Sequence, residues 1–211
     1  MKTLFAFLPV LVVSQALAGA GEQPATATSS AGPLHRYMIE RTFPAGALQG
    51  LDAATKAKVN ANNATVGARW LQSYANADQT KTYCVYEAPS EAAVREAARL
   101  NALPIDTITE VPVDLTPAQR FRAAMDPSAD RSESHRFLVV LGEQPTPRRD
   151  KFGAKSDPTG VRWVTTYASA DKTKTYGIYE GPSESAVRDA ARSSGTVINR
   201  VTEVPVTLLP R

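Results

Sequence analysis

Few side chains in this sequence could do chemistry, and most of them occur twice. Glu87 and Glu180 each close a tyrosine-rich, strand-like run, Tyr83 to Glu87 and Tyr176 to Glu180. A carboxylate beside tyrosines could ligate a metal or accept hydrogen bonds from a ligand. The plainer role of a strand-end Glu is an ion pair, here with Arg69 or Arg162, and Glu110 and Glu203 carry the same two readings. His35 and His135 recur ahead of the first strand of each copy, and neutral imidazole is a ligand for nickel, copper or zinc. Each stands without a second His or Cys nearby, which is the pattern of an exposed or capping residue. Cys84 has Gly177 as its counterpart and no adjacent His to activate it, so it reads as a small buried hydrophobe rather than a nucleophile. Eight repeated aromatics, Trp70, Tyr74, Tyr83, Tyr86, Trp163, Tyr167, Tyr176 and Tyr179, are candidates for lining a cavity between two sheets, or for filling that space as core. There is no Gly-rich phosphate loop, nucleophile elbow or HExxH, so no catalytic residue is assigned.

Composition narrows the classes further. In 211 residues, 24 Lys and Arg against 21 Asp and Glu leave +3, too small and scattered a surplus for a nucleic-acid groove. One Cys and two His exclude zinc fingers, iron–sulfur clusters and intrachain disulfides. Lys2, the apolar run from Leu4 to Val13, and the small residues at Ala16, Ala18 and Ala20 have the order of a secretory signal peptide over residues 1–20. The run is too short for a stable membrane anchor, so the expected location is periplasmic or secreted after cleavage. Residues 21–33 have few large apolar side chains and read as a flexible linker.

The remainder is one unit written twice. Gly67 to Val113 laid over Gly160 to Val206 without a gap gives identity at roughly 28 of 47 positions. The expected domains are a first repeat over 34–116, a connector over 117–133 with one short helix, and a second repeat over 134–211. In the first copy, Arg36 to Phe43 has strand character and Leu51 to Ala64 helix character. Ala68 to Ala75 alternates, with Trp70, Gln72 and Tyr74 expected on one face; Asn76 to Lys81 turns; Thr82 to Ala88 alternates again. Ser90 is a suitable N-cap for a helix carrying Ala93, Val94, Ala97 and Ala98 on its apolar side, and Thr107 to Val113 supplies a last strand in which Pro112 marks an edge.

The expected fold class is therefore α+β, two tandem ferredoxin-like βαββαβ domains. Pro145, Pro147 and Pro158 make the first helix of the second copy degenerate. Sheets with aromatic open faces should pack together as an intrachain pseudo-dimer; further oligomerisation is not readable from the sequence.

The stretches Ile39 to Pro44, Trp70 to Tyr74, Lys81 to Pro89 and Glu91 to Glu96 resemble a bacterial domain-of-unknown-function family of small ferredoxin-like proteins with a nickel-binding member. The resemblance implies nickel or another divalent transition metal, with Glu40, Tyr83, Cys84, Tyr86 and Glu87 as the positions of a retained site. With His35 added, the metal candidates are Glu40, Cys84, Glu87 and His35. The family pattern has a His after Arg-Glu in the second helix, where this chain carries Ala97 and Ala190, and the second copy replaces Glu-Arg by Val140-Leu141. The leading expectation is an exported, non-enzymatic binding protein for a metal ion or small ligand. Its alternatives are a cofactor-independent enzyme of the dimeric α+β barrel kind, such as a monooxygenase acting on a small aromatic compound, and a structural envelope protein.

Overall fold

The computed structural model describes residues 32–115, 134–142 and 159–211. The expected signal peptide, the linker as far as residue 31, the connector, and the degenerate helix of the second copy fall outside these residues. Strand β1 (His35–Thr42) is followed by helix α1 (Ala53–Thr65), β2 (Arg69–Ala75), β3 (Lys81–Ala88), α2 (Glu91–Leu100), β4 (Thr107–Glu110) and β5 (Val113–Leu115). The second half contributes β6 (His135–Leu141), β7 (Arg162–Ala168), β8 (Thr175–Gly181), α3 (Glu184–Ser194), β9 (Ile198–Glu203) and β10 (Val206–Leu208). This is a mixed α+β fold of two antiparallel sheets with three helices among the described residues. None of those helices is long and apolar enough to cross a membrane.

Local chemistry accounts for most boundaries. Asp52 caps α1 by accepting from the Thr55 amide, and Ser90 and Ser183 cap α2 and α3 through the amides of Ala93 and Ala186. In both β-hairpins an Asp, Asp78 or Asp171, accepts from the amide and hydroxyl of the Thr two residues on. The residue between them, Gln79 or Lys172, takes the left-handed conformation that the turn needs. Each serine cap replaces water at an otherwise unpaired amide, so Ser90→Ala and Ser183→Ala should each cost about 1 kcal/mol. Lying in opposite halves, they should add in urea unfolding with an unchanged denaturant slope; strong non-additivity would contradict independent capping.

The sheets run β10-β2-β3-β1-β4 and β5-β7-β8-β6-β9. Each half thus gives its last short strand to the other half's sheet. β5 pairs with β7, Val113 opposite Ala168, and β10 pairs with β2, Val206 opposite Ala75. The continuous strand expected from Thr107 to Val113 is broken instead. The Val111 amide bonds the Arg36 carbonyl, Pro112 has no amide to continue the ladder, and the chain crosses to the facing sheet. Pro205 interrupts the second half in the same way, after Val204 bonds Arg136.

The sheets face each other across a core that includes Met38, Tyr74, Tyr83 and Val85 from one and Leu138, Val140, Tyr167, Tyr176 and Ile178 from the other. Burial of such side chains, worth up to ~3 kcal/mol each, holds the two halves together. The outer faces pack separately: Tyr37, Ile39, Trp70, Cys84 and Tyr86 with α1 and α2, and Phe137, Val139, Tyr179 and Val187 in the second half. The eight aromatics therefore do not share one cavity. A bulge between Trp70 and Gln72, repeated between Trp163 and Thr165, turns each Trp to the helix side while Tyr74 and Tyr167 stay between the sheets. The expectation of Trp70, Gln72 and Tyr74 on one face is corrected on this point.

Candidate functional site

The four metal candidates do not meet. Glu40 lies between the sheets, 4% exposed, and is surrounded by cations. Its Oε1 accepts from the Tyr176 hydroxyl at 2.9 Å and lies 3.2 Å from Lys174 Nζ. Its Oε2 is 2.5 Å from Arg200 and 3.9 Å from Lys81 Nζ. Burial pushes this carboxyl up, but the Tyr176 hydroxyl, Arg200 and Lys174 outweigh it and hold Glu40 below the ordinary carboxylate range. Glu87 is bound by Arg36 and Arg69, and Glu180 by Arg136 and Arg162, the ion pairs that the sequence suggested for Arg69 and Arg162. His35 bonds Glu110 at 2.7 Å and His135 bonds Glu203 at 2.6 Å, both exposed. Cys84 is buried on the opposite face of β3 from Glu40's partner Tyr83, with Thr82 Oγ1 3.4 Å from its sulfur. No group of three His, Cys, Asp or Glu side chains among the described residues could hold a metal ion.

What the structure does assemble is a pocket of about 50 Å³ in the first half, between the outer face of its sheet and α1. Trp70, Cys84 and Tyr86 form its floor, and Phe43, Leu48, Leu51 and Val59 are among its walls. Leu208, from the strand donated by the second half, completes it. Arg41 is the one charged side chain in the lining. It follows Ile39 by two residues and so points to the helix side of β1, where it is 2% exposed. Nη1 donates to the Pro104 carbonyl at 2.5 Å, and the guanidinium carbon is 5.9 Å from the centre of the Tyr86 ring. Beside it, Asn63 is anchored at the end of α1, its Oδ1 accepting from Asn101 at 3.0 Å. Arg41 Nε and Asn63 Nδ2 are buried without a well-formed hydrogen bond among the described residues.

The described residues of the second half have no such arrangement. Leu141 replaces Arg41, and Gly177 replaces Cys84. The Tyr179 ring lies directly against Gly177: a Cβ there would overlap the ring edge and sit 3.0 Å from Cζ. In the first half the Cβ of Cys84 denies Tyr86 that position, so the space stays open.

Arg41 and Asn63 were not singled out by sequence reasoning. The available signal was a strand with charge on both faces, Glu40 and Arg41 beside Met38 and Ile39, since a strand covered on both sides should be apolar throughout.

Two facing sheets with exchanged end strands and helices outside define the class, a two-sheet α+β protein with an open pocket in its first half. Residues 37–111 and 148–204 match the family of nickel responsive proteins described as SCO4226-like, and the chain belongs to that family. No curated protein sequence matches the chain. Among solved structures, the chain is similar to a putative monooxygenase from Lactobacillus acidophilus NCFM, at 9% identity and TM-score 0.42, covering 83% of this chain and 97% of that one. A chlorite dismutase from Candidatus Nitrospira defluvii matches at 11% identity and TM-score 0.41, covering 82% and 90%. An anthrone oxidase-like protein matches at 10% and 0.40, covering 84% and 97%. Likeness at this level transfers no residue role. The non-enzymatic metal-binding protein expected from the sequence is not carried forward, because its candidate ligands lie apart and no metal-holding group occurs among the described residues.

Proposed function

We propose that the chain is a cofactor-independent enzyme of the dimeric α+β barrel kind, two tandem ferredoxin-like units forming an intrachain pseudo-dimer, and that it oxygenates a small aromatic compound bound in the first half. The observation that carries this reading is the first-half pocket, an apolar recess floored by Trp70 and Tyr86 that has one polar contact point. Reciprocal placement of β5 and β10 supports the pseudo-dimer, and Tyr179 over Gly177 supports placing the site in the first half. Dioxygen would be the co-substrate and the electron-rich aromatic its reductant. Burial pushes the Tyr86 phenol up to about 12, so it is a neutral hydrogen-bond donor near neutral pH.

The pocket holds less than a whole ring, since ~150 Å³ accommodates benzene. Admitting one requires Leu48, which lies in the mostly exposed turn segment over residues 45–50, to move aside. Oxygen uptake should be measured with a panel of hydroxynaphthalenes and anthrones. Val59→Phe fills the pocket from α1 and should lower kcat/KM for any active member by about a hundredfold. Uptake that this plug leaves unchanged, or no uptake across the panel, would remove the enzyme reading.

A further inference from the structure

Arg41 is a buried cation without a counter-ion. Among the described residues no carboxylate pairs with it. Glu40, its neighbour in β1, faces the other sheet and is engaged by Tyr176, Lys174 and Arg200. Asp106, two residues beyond Pro104, is engaged by Lys81 at 2.7 Å and Thr42 at 2.6 Å. Tyr86 offers its ring face and a hydroxyl that interacts with Arg41 and Asn63 but stays protonated, so it brings no negative charge. A guanidinium cannot shed its proton to escape burial. Placing it 2% exposed against one carbonyl, one aromatic ring and a neutral hydroxyl leaves its charge without an anion to balance it. Among the described residues its Nε has no acceptor, and it belongs to the wall of the first half's pocket. The second half, where Tyr179 fills the space, has Leu141 at this position and so carries no such charge.

We propose that the first-half pocket is built for an anion: a small planar aromatic ring whose anionic oxygen, carboxylate or phenolate, pairs with Arg41. The ring stacks into the recess floored by Trp70 and Tyr86 while the oxygen completes the guanidinium. Asn63, whose buried Nδ2 approaches the Tyr86 hydroxyl without a well-formed hydrogen bond among the described residues, is a second donor beside it. This inference rests on the reading of that pocket as the substrate site, but it concerns recognition and stands apart from turnover.

The test uses the full chain with benzoate and its neutral counterpart benzamide, followed by calorimetry and tryptophan fluorescence. One benzoate should bind per chain, with benzamide weaker by about tenfold or more. Arg41→Met should abolish that preference and Arg41→Lys should restore part of it. Arg200→Gln, which alters the inter-sheet cations, should leave it intact. Should Arg41→Met fail to fold, the benzoate-to-benzamide ratio of the unaltered protein and its loss in Val59→Phe decide the matter. Equal affinities, no saturable benzoate binding, or a preference that follows Arg200 would overturn the inference. Benzoate preference without oxygen uptake would remove the enzyme reading and keep this one; uptake with equal affinities would do the reverse.

Discussion

Removal of residues 206–211 is expected to destabilise the protein by about 4 kcal/mol and to make it self-associate. The segment holds the first half's sheet at its β2 edge, with Thr207 opposite Tyr74 and Leu208 opposite Ser73. Its loss uncovers the backbone groups of β2 that pair with it. Leu208 also packs with the core beneath α1 and α2 and closes the pocket. Beyond it, Asn60 donates to the Pro210 carbonyl at 2.8 Å and Lys56 to the Arg211 carbonyl at 3.0 Å, so the last residues tie the second half to α1 of the first. The cost combines a half-buried leucine with several backbone and side-chain bonds, which for a chain of this size lowers Tm by about 10 °C. Calorimetry and size-exclusion chromatography of the truncated chain check both parts. A truncated protein as stable and as monodisperse as the parent would show that the exchanged strand contributes nothing to the joint.

The repeat and the capping chemistry were legible in the sequence because they depend on neighbours. Ser90 caps α2, the Asp-x-Thr turns close both hairpins, and α1 begins two residues from its expected start. The fate of Pro112 was half legible. A missing amide marks the end of a ladder, but whether the chain then stops or crosses to another sheet depends on a partner strand distant in sequence. The bulge at Leu71 left no local mark, since alternation continues through it in residue type while the faces exchange. The pocket was least legible of all. It needs Arg41 from β1, Leu208 from the far end of the chain and a Cβ at residue 84, and the consequence of Cys84 against Gly177 is visible only in where Tyr86 and Tyr179 place their rings.

Glu40 should matter for stability in a pH-dependent way. It joins the two halves through Tyr176, Lys174 and Arg200, and the contact is not mirrored, because Val140 and Thr107 occupy the corresponding positions. Glu40→Val copies the second half's own solution and keeps the site filled. It leaves the cations without their anion, so near pH 7 it should cost about 2 kcal/mol, less than for a fully buried pair because Lys174 and Arg200 keep contact with water. The sign of the pH dependence follows from the carboxyl's lowered value. The unfolded chain takes up a proton at Glu40 at higher pH than the folded one does, so the contribution of Glu40 is complete above the ordinary carboxylate value and disappears as pH falls through the lowered folded value. Glu87, Glu180 and Asp106 are lowered too, and both proteins share their acid sensitivity. The difference between parent and variant in urea unfolding therefore isolates Glu40. It should be near its full size at about pH 7 and shrink markedly by about pH 3. A difference that stays constant across that window would mean that the variant acts through packing between the sheets, and that the charge on Glu40 does not hold the halves together.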